Sequence, residues 1–303
     1  MTTASTSDGV PQRFSTADVP DLPGRRVIVT GANSGIGLVT AQILASAGAD
    51  VTLAVRNTEK GAAAAAGMPG QPDVRELDLA NLASVREFAA AWEGDIDLLI
   101  NNAGVMIPPL GRTADGFELQ LGTNHLGPFA LTSLLLPHVR GRVVTVSSGL
   151  HRIGRIDFDD LNWERRRYRR WGAYGQSKLA NLLFTGELQR RLTAAGSPVL
   201  SVAAHPGYAA TNLQSHSESG LWELMVGRIG NGLVAQNARG GALPTLFAAV
   251  APIPGDSFAG PGGFQELRGA PQLVGRSARA RDTETARRLW EVSEELTGTR
   301  FPL

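Results

Sequence analysis

Tyr174 and Lys178 stand four residues apart in AYGQSKLANLLFTGELQRRL, residues 173 to 192. The segment reads as an amphipathic helix, with Leu179, Leu182, Leu183, Gly186 and Leu188 at near-helical spacing and a basic last turn. On a helix, residues four apart share a face, so the phenol and the ammonium reach each other or one ligand. They form either a surface pair or a proton-transfer device. Tyrosine in water titrates near pH ~10, too high for ready proton exchange at neutrality. A neighbouring ammonium favours the phenolate and is expected to lower that value.

A second chemical feature is TGANSGIG, residues 30 to 37. A diphosphate approaches backbone N–H groups at a helix N-terminus only where side chains leave room. Gly31 suits the tight turn, Gly35 the approach of phosphate and Gly37 the packing of helix on sheet, with Asn33, Ser34 and Ile36 completing the loop. The spacing is G-x-x-x-G-x-G. Alone it is compatible with a structural turn; placed after a first strand and before a helix it reads as a dinucleotide site. The second strand ends AVRN, with Arg56 and Asn57 where an acid would select a ribose 2′-hydroxyl. A guanidinium suits a 2′-phosphate instead, and Ser34 is placed to donate to it, so NADP(H) is expected in preference to NAD(H).

The elements that must position these groups alternate regularly. Strands are expected at 25 to 30, 50 to 56, 74 to 77, 96 to 101, 141 to 147 and 198 to 204. A helix is expected over 35 to 49, others over the alanine-rich stretch after Arg56 and over ASVREFAAAWE. Apolar strands alternating with helices predict a single-domain α/β Rossmann fold: a doubly wound parallel sheet of about seven strands with helices on both faces. Residues 1 to 23 read as a flexible leader and 24 to 303 as the domain, with an insertion at 151 to 173 and a substrate flap at 208 to 238.

Composition narrows the partners. The chain has 303 residues, 43% of them hydrophobic, and a formal net charge of +1, so no global field draws it to nucleic acid or to an anionic membrane. It has no cysteine, which excludes disulfides, thiolate nucleophiles and cysteine-based metal sites. No apolar run is long enough to span a bilayer, so no membrane anchor and a cytoplasmic location are expected. The Arg165, Arg166, Arg167, Arg169 and Arg170 cluster reads as a solvated face, with nucleic acid as the alternative. His125, His151 and His205 lack metal-ligand spacing and are expected to pack or hydrogen-bond.

TGANSGIG, NNAG (101 to 104), TNHLG (123 to 127), VSS (146 to 148), YGQSK (174 to 178) and HPG (205 to 207) occur in one order. From about residue 24 onward the chain thereby resembles the short-chain dehydrogenase/reductases. It is most similar to their retinol dehydrogenase and WW-domain oxidoreductase group, through AYGQSKLANLLFTGELQRRL, HRIGRIDFDDLNW and ETARRLWEVSEEL. The resemblance implies that Tyr174 is the general acid/base, Lys178 its pKa modulator and ribose contact, and Ser148 the residue that orients the carbonyl. Asn124 would fix a water that links Lys178 to solvent. Only one of Ser147 and Ser148 can face the site from a strand, and the motif points to Ser148. Toward the cofactor, the resemblance assigns Asn101, Ala103 and Gly104 to the adenosine ribose, Asp78 and Leu79 to adenine, and Pro206, Gly207 and Thr211 to the nicotinamide side.

The function implied is interconversion of a carbonyl and an alcohol on a small hydrophobic substrate. The insertion and flap would form its pocket, including Leu221, Trp222, Leu224 and Met225, although LWELMV also reads as a packing helix. The competing reading is a non-catalytic NADP-binding redox sensor or binding module, which turnover of any carbonyl would exclude. Relatives of this kind assemble as homodimers or homotetramers through helices flanking the sheet, and such an assembly is the expectation here.

Overall fold

The computed structural model describes residues 13–207 and 238–303. Thr211 and the flap residues Leu221, Trp222, Leu224 and Met225 lie outside them. Eight strands among the described residues form one sheet: β1 (Arg26–Thr30), β2 (Asp50–Val55), β3 (Asp73–Glu76), β4 (Ile96–Asn101), β5 (Val139–Val146), β6 (Leu200–Ala204), β7 (Phe258–Pro261) and β8 (Pro271–Leu273). The spatial order is β3-β2-β1-β4-β5-β6-β7-β8, parallel throughout except that β8 runs antiparallel to β7. The expected parallel sheet is therefore present, with an added antiparallel edge.

Side chains alternate between the two faces with the period of two that a strand imposes. Ile28, Leu99, Val143 and Ala203 enter one core, while Val27, Val29, Leu98, Ile100, Val144 and Val202 enter the other. Helices α1 (Gly35–Ser46), α2 (Thr58–Ala65) and α7 (Ala238–Val250) cover the second core. The first lies under α3 (Leu82–Ala90), α5 (Gly127–Leu135), α6 (Arg170–Ala194) and α8 (Thr283–Thr297). Before α5 comes a one-turn helix, α4 (Leu119–Leu121), continued by a π turn over Gly122–Leu126.

Helix α8 lies against α5 and α6 by aromatic packing. Trp290 is 2% exposed, stacks on Phe184 of α6 and meets Phe129 of α5 edge-on, with ring centroids 5.9 and 5.2 Å away. Arg191 of α6 covers the same indole.

The flexible leader does not extend to residue 23. Phe14 is 2% exposed and meets Phe247 of α7 edge-on at 5.4 Å, and Ser15 caps a short turn over Thr16–Asp18. One aromatic ring with a core socket outweighs the polar composition around it. Among the described residues no helix is long and apolar enough to cross a membrane.

Candidate active site

The sheet reverses its direction of growth between β1 and β4, and ligands of open α/β sheets bind in the crevice beyond those strand ends. The chain leaves β1 through Gly31, whose φ of +68° lies in the left-handed region. Gly31 N–H donates to the Ala54 carbonyl at 2.8 Å, tying the loop to β2. Ser34 precedes α1 but makes no side-chain capping bond. Its exposed hydroxyl therefore stands free beside the first-turn N–H groups, an arrangement that suits phosphate. Asn33 is half-buried in this loop and Ile36 is buried under it. A Cβ at Gly37 would lie 2.6 Å from Gly31 O and collide with the Asn102 side chain, so this glycine admits the NNAG turn.

Thr30 braces that turn. Its buried hydroxyl accepts the N–H groups of Asn102 and Ala103, each at 3.0 Å, and its carbonyl accepts from the Asn102 side chain at 2.8 Å. A Cβ on Gly104 would stand 2.9 Å from Asn124 Oδ1 and 3.5 Å from Lys178 Nζ, so the turn runs directly against both. The Asn101 side chain turns away from the groove. It is 3% exposed and donates to Thr132 of α5 at 2.9 Å, because strand alternation sends it toward the helix layer.

Arg56 is exposed immediately beyond β2, with no hydrogen bond or ion pair to the described residues. Asn57 differs: its side-chain oxygen accepts from Lys60 N–H at 2.8 Å and caps α2. Asn57→Ala is expected to lower stability by about 1 kcal/mol in chemical unfolding and leave NADPH affinity within about twofold. A tenfold loss of affinity would instead give Asn57 a direct contact. Asp78 is half-buried, with one carboxylate oxygen on Ala80 N–H at 2.9 Å, beside buried Leu79. Pro206 and Gly207 are half-buried beyond β6, where Gly207 N–H donates to His205 Nδ1 at 3.2 Å.

Tyr174 and Lys178 occupy successive turns of α6, 8% and 4% exposed. Burial pulls the Lys178 ammonium down to about 8, and its Nζ donates to Val146 O at 3.0 Å. Burial likewise pushes the Tyr174 phenol up to about 12, against a hydrogen bond with Ser148 that lowers it. The expected lowering by Lys178 is thus reversed in the free protein. Removing a phenolate from water outweighs an ammonium whose Nζ lies 5.7 Å from the ring centroid. Ser147 turns away, 1% exposed and donating to Lys178 O at 2.8 Å, while Ser148 accepts from Leu150 N–H at 3.2 Å.

Asn124 lies in the π turn, a helix irregularity that recurs at functional sites. Its Oδ1 accepts Val105 N–H at 2.7 Å, and its Nδ2 donates to Val105 O and to Ser177 Oγ, both at 2.9 Å. Both of its amide hydrogens are thus spent on protein, and its oxygen already holds one donor.

The histidines are bonding residues. His125 reaches Ser293 of α8 at 3.0 Å, and His151 accepts from Ser277 N–H at 3.1 Å. His205 Nε2 lies 3.0 Å from Glu266 Oε2. Among the described residues no acidic and histidine side chains gather as metal ligands. In the Arg-rich stretch, Arg166 covers the Trp163 ring at 3.7 Å and pairs with Asp157 at 3.1 Å and Asp160 at 3.4 Å. Sequence reasoning passed over Thr30, Glu118 and Gln120. The visible signal was polar residues at positions whose neighbours place them in a core: a threonine ending a buried strand and two acceptors flanking Leu119.

The family described as short chain dehydrogenase matches this chain over residues 25–222. Retinol dehydrogenase 13 of Homo sapiens is 44% identical over 300 residues, covering 93% of this chain and 87% of that protein. An uncharacterised protein of known structure from Mycobacterium paratuberculosis is 55% identical, with a TM-score of 0.85 over 96% of this chain and all of that one. A short chain dehydrogenase from Burkholderia cenocepacia, solved with NADP, is 25% identical, with a TM-score of 0.58 over 76% of this chain and 92% of that one.

Proposed function

The chain belongs to the short chain dehydrogenase family and is an NAD(P)-dependent oxidoreductase of the retinol-dehydrogenase-like kind, and from that premise we propose that it interconverts a carbonyl and an alcohol on a small hydrophobic substrate, with NADP(H) as cofactor and Tyr174 as general acid/base. The observation that supports this most is the meeting of Tyr174 with Ser148 beside Lys178, next to the glycine loop and the Gly104 turn.

The hydride would come from a nicotinamide cofactor held by the glycine loop, the Gly104 turn and Lys178. The rest belongs to the protein. In the direction of reduction, Tyr174 is protonated across the physiological range and gives its phenolic proton to the carbonyl oxygen. Ser148 donates to that oxygen and fixes its position against the phenol. Lys178 keeps its charge up to about pH 8 and replenishes the proton through its ammonium. Asn124 sets the backbone of the π turn on the Val105 and Ser177 sides of this path.

Gly31, Gly35 and Gly37 clear the approach to the diphosphate, with Asn33, Ser34 and Ile36 as the loop walls. Arg56 takes the 2′-phosphate, which an exposed guanidinium without a partner among the described residues suits in shape and charge. Asp78 and Leu79 flank the adenine, Ala103 and Gly104 the ribose, and Pro206, Gly207 and Thr211 the nicotinamide side. Arg56→Ala is expected to raise the Kd for NADPH by about tenfold to a hundredfold, since a hydrogen bond to a charged group is worth roughly 1.5 to 3 kcal/mol. NADH affinity should stay unchanged by fluorescence titration. An equal loss for both cofactors would remove Arg56 from the 2′ position.

The relative named retinol dehydrogenase supports the substrate class. The direct test is NADPH oxidation, followed by its absorbance, across hydrophobic aldehydes and ketones that include retinaldehyde. Saturable turnover of one chemical class supports the reading. Tight NADPH binding with no turnover across the panel overturns it.

A further inference from the structure

The segment that follows the NNAG turn is held in an unfavourable shape. Ile107 has a φ of +49°, a region that β-branched residues avoid, and it also precedes Pro108. Strain of this kind persists only where surrounding contacts impose it, and it collects at functional sites. Two contacts impose it here. Asn124 clamps Val105 through both its N–H and its carbonyl, at 2.7 and 2.9 Å. Gln120, four residues earlier, accepts the Ile107 N–H at 2.9 Å. Met106, half-buried between the clamped residues, is fixed with them.

Gln120 is 0% exposed and its remaining bonds run the other way. Its Nε2 donates to Tyr168 Oη at 2.9 Å and to Arg170 O at 3.0 Å. Arg170 begins α6, one turn before Tyr174, and Tyr168 belongs to the insertion. Tyr168 donates in turn to Glu118 at 2.9 Å, whose backbone N–H donates to Asn162 at 2.9 Å. One buried amide thus joins the segment beside the catalytic groups, the insertion and the start of the Tyr174 helix.

We propose that Gln120 is a positioning residue for the substrate pocket: it holds Val105 to Ile107 in the strained shape and locks that wall to the insertion and to α6. This rests on the oxidoreductase reading above. Gln120 touches no reacting atom, so its loss should act on the fit of the carbonyl substrate and leave the cofactor alone.

The test is a double-mutant cycle of Gln120→Met, an unbranched side chain of similar length, with Ile107→Gly, for which the left-handed shape is unstrained. Gln120→Met should lower kcat/KM for the carbonyl by about tenfold or more, chiefly through KM, but by less than about threefold in the Ile107→Gly background. NADPH affinity should be unchanged throughout. Tyr168→Phe, a conservative change, should raise KM in the same direction by a smaller factor. Equal losses in both backgrounds, or a loss carried by NADPH affinity, overturn the proposal. If the native protein turns over no carbonyl, the oxidoreductase reading has failed; the clamp is then judged by melting temperature. Gln120→Met should shift it less when residue 107 is glycine, and additive shifts overturn the clamp.

Discussion

Tyr174→Phe should retain NADPH binding and lose roughly 10² to 10⁴-fold in kcat for carbonyl reduction, the range a positioned general acid supplies. The substitution deletes one oxygen from a ring that is 8% exposed and leaves its packing on α6 intact. No other described side chain with a transferable proton meets Ser148 in the same way: Ser147 donates to Lys178 O, and Asn124 has committed its amide to Val105 and Ser177. Water would have to supply the proton in the variant. Stability should change by no more than about 1 kcal/mol, because desolvation of the buried hydroxyl is relieved while its bond to Ser148 is lost. Steady-state turnover measured beside NADPH fluorescence decides the matter. Native kcat in the variant would remove Tyr174 from the reaction; lost NADPH binding would make its role structural.

Lys178→Met should move activity and stability in opposite directions. The ammonium is 4% exposed and its pKa is pulled down to about 8 from 10.5, so its charged form is disfavoured in the folded state. The folded pKa lies below the unfolded one. The native protein therefore carries the full penalty below about pH 8 and is relieved of it as pH rises from there toward 10.5. The penalty is of order 3 kcal/mol, and part of it is offset by the bond to Val146 O. That carbonyl keeps a second donor, Asn181 Nδ2 at 3.1 Å, when the lysine goes. Methionine fills a similar volume without charge. A gain of about 1 to 2 kcal/mol at pH 7 is expected in chemical unfolding, vanishing toward pH 10.5. Turnover should fall by roughly 10² to 10³-fold, the usual loss for a charge aimed at the reacting group. The native pH profile for reduction should be level below about 8 and fall above it, and the variant should lack that limb. A destabilised variant with native turnover would contradict both halves.

The sequence carried β1, β2, β4, β5 and β6 plainly, because each holds a short apolar run between helical patterns. Strand β3, with Val74 as its one apolar residue, was placed by the alternation around it. Strands β7 and β8 were hidden. FAGP and PQL are short, contain proline and show no alternation, so only pairing with β6 and with each other makes them strands. Tyr174 and Lys178 could be located from spacing and Ser148 from the motif of the resembled family, but the direction of the tyrosine's shift could not. It depends on how much water the fold removes, and burial is a tertiary quantity. Asn101 shows the same limit: its motif places the backbone at the groove, and only strand register reveals that the amide faces α5. Arg166 was legible as a charge and illegible as the lid of an indole.

Helix α8 has a bearing on assembly. The outer faces of α5 and α6 are already an interface, made within one chain: Trp290 sits among Phe129, Phe184 and Phe301 under the Arg191 guanidinium. A second copy reaching those helices must first lift the indole out, which costs about as much as truncating it, roughly 3 to 5 kcal/mol. The C-terminal helix thus covers α5 and α6 from within the chain. Among the described residues β3 and β8 are the two edges of the sheet, and Gln272 and Leu273 lie exposed along β8. Among the described residues the aromatic face of α5 and α6 is thus closed by the chain's own C-terminal helix.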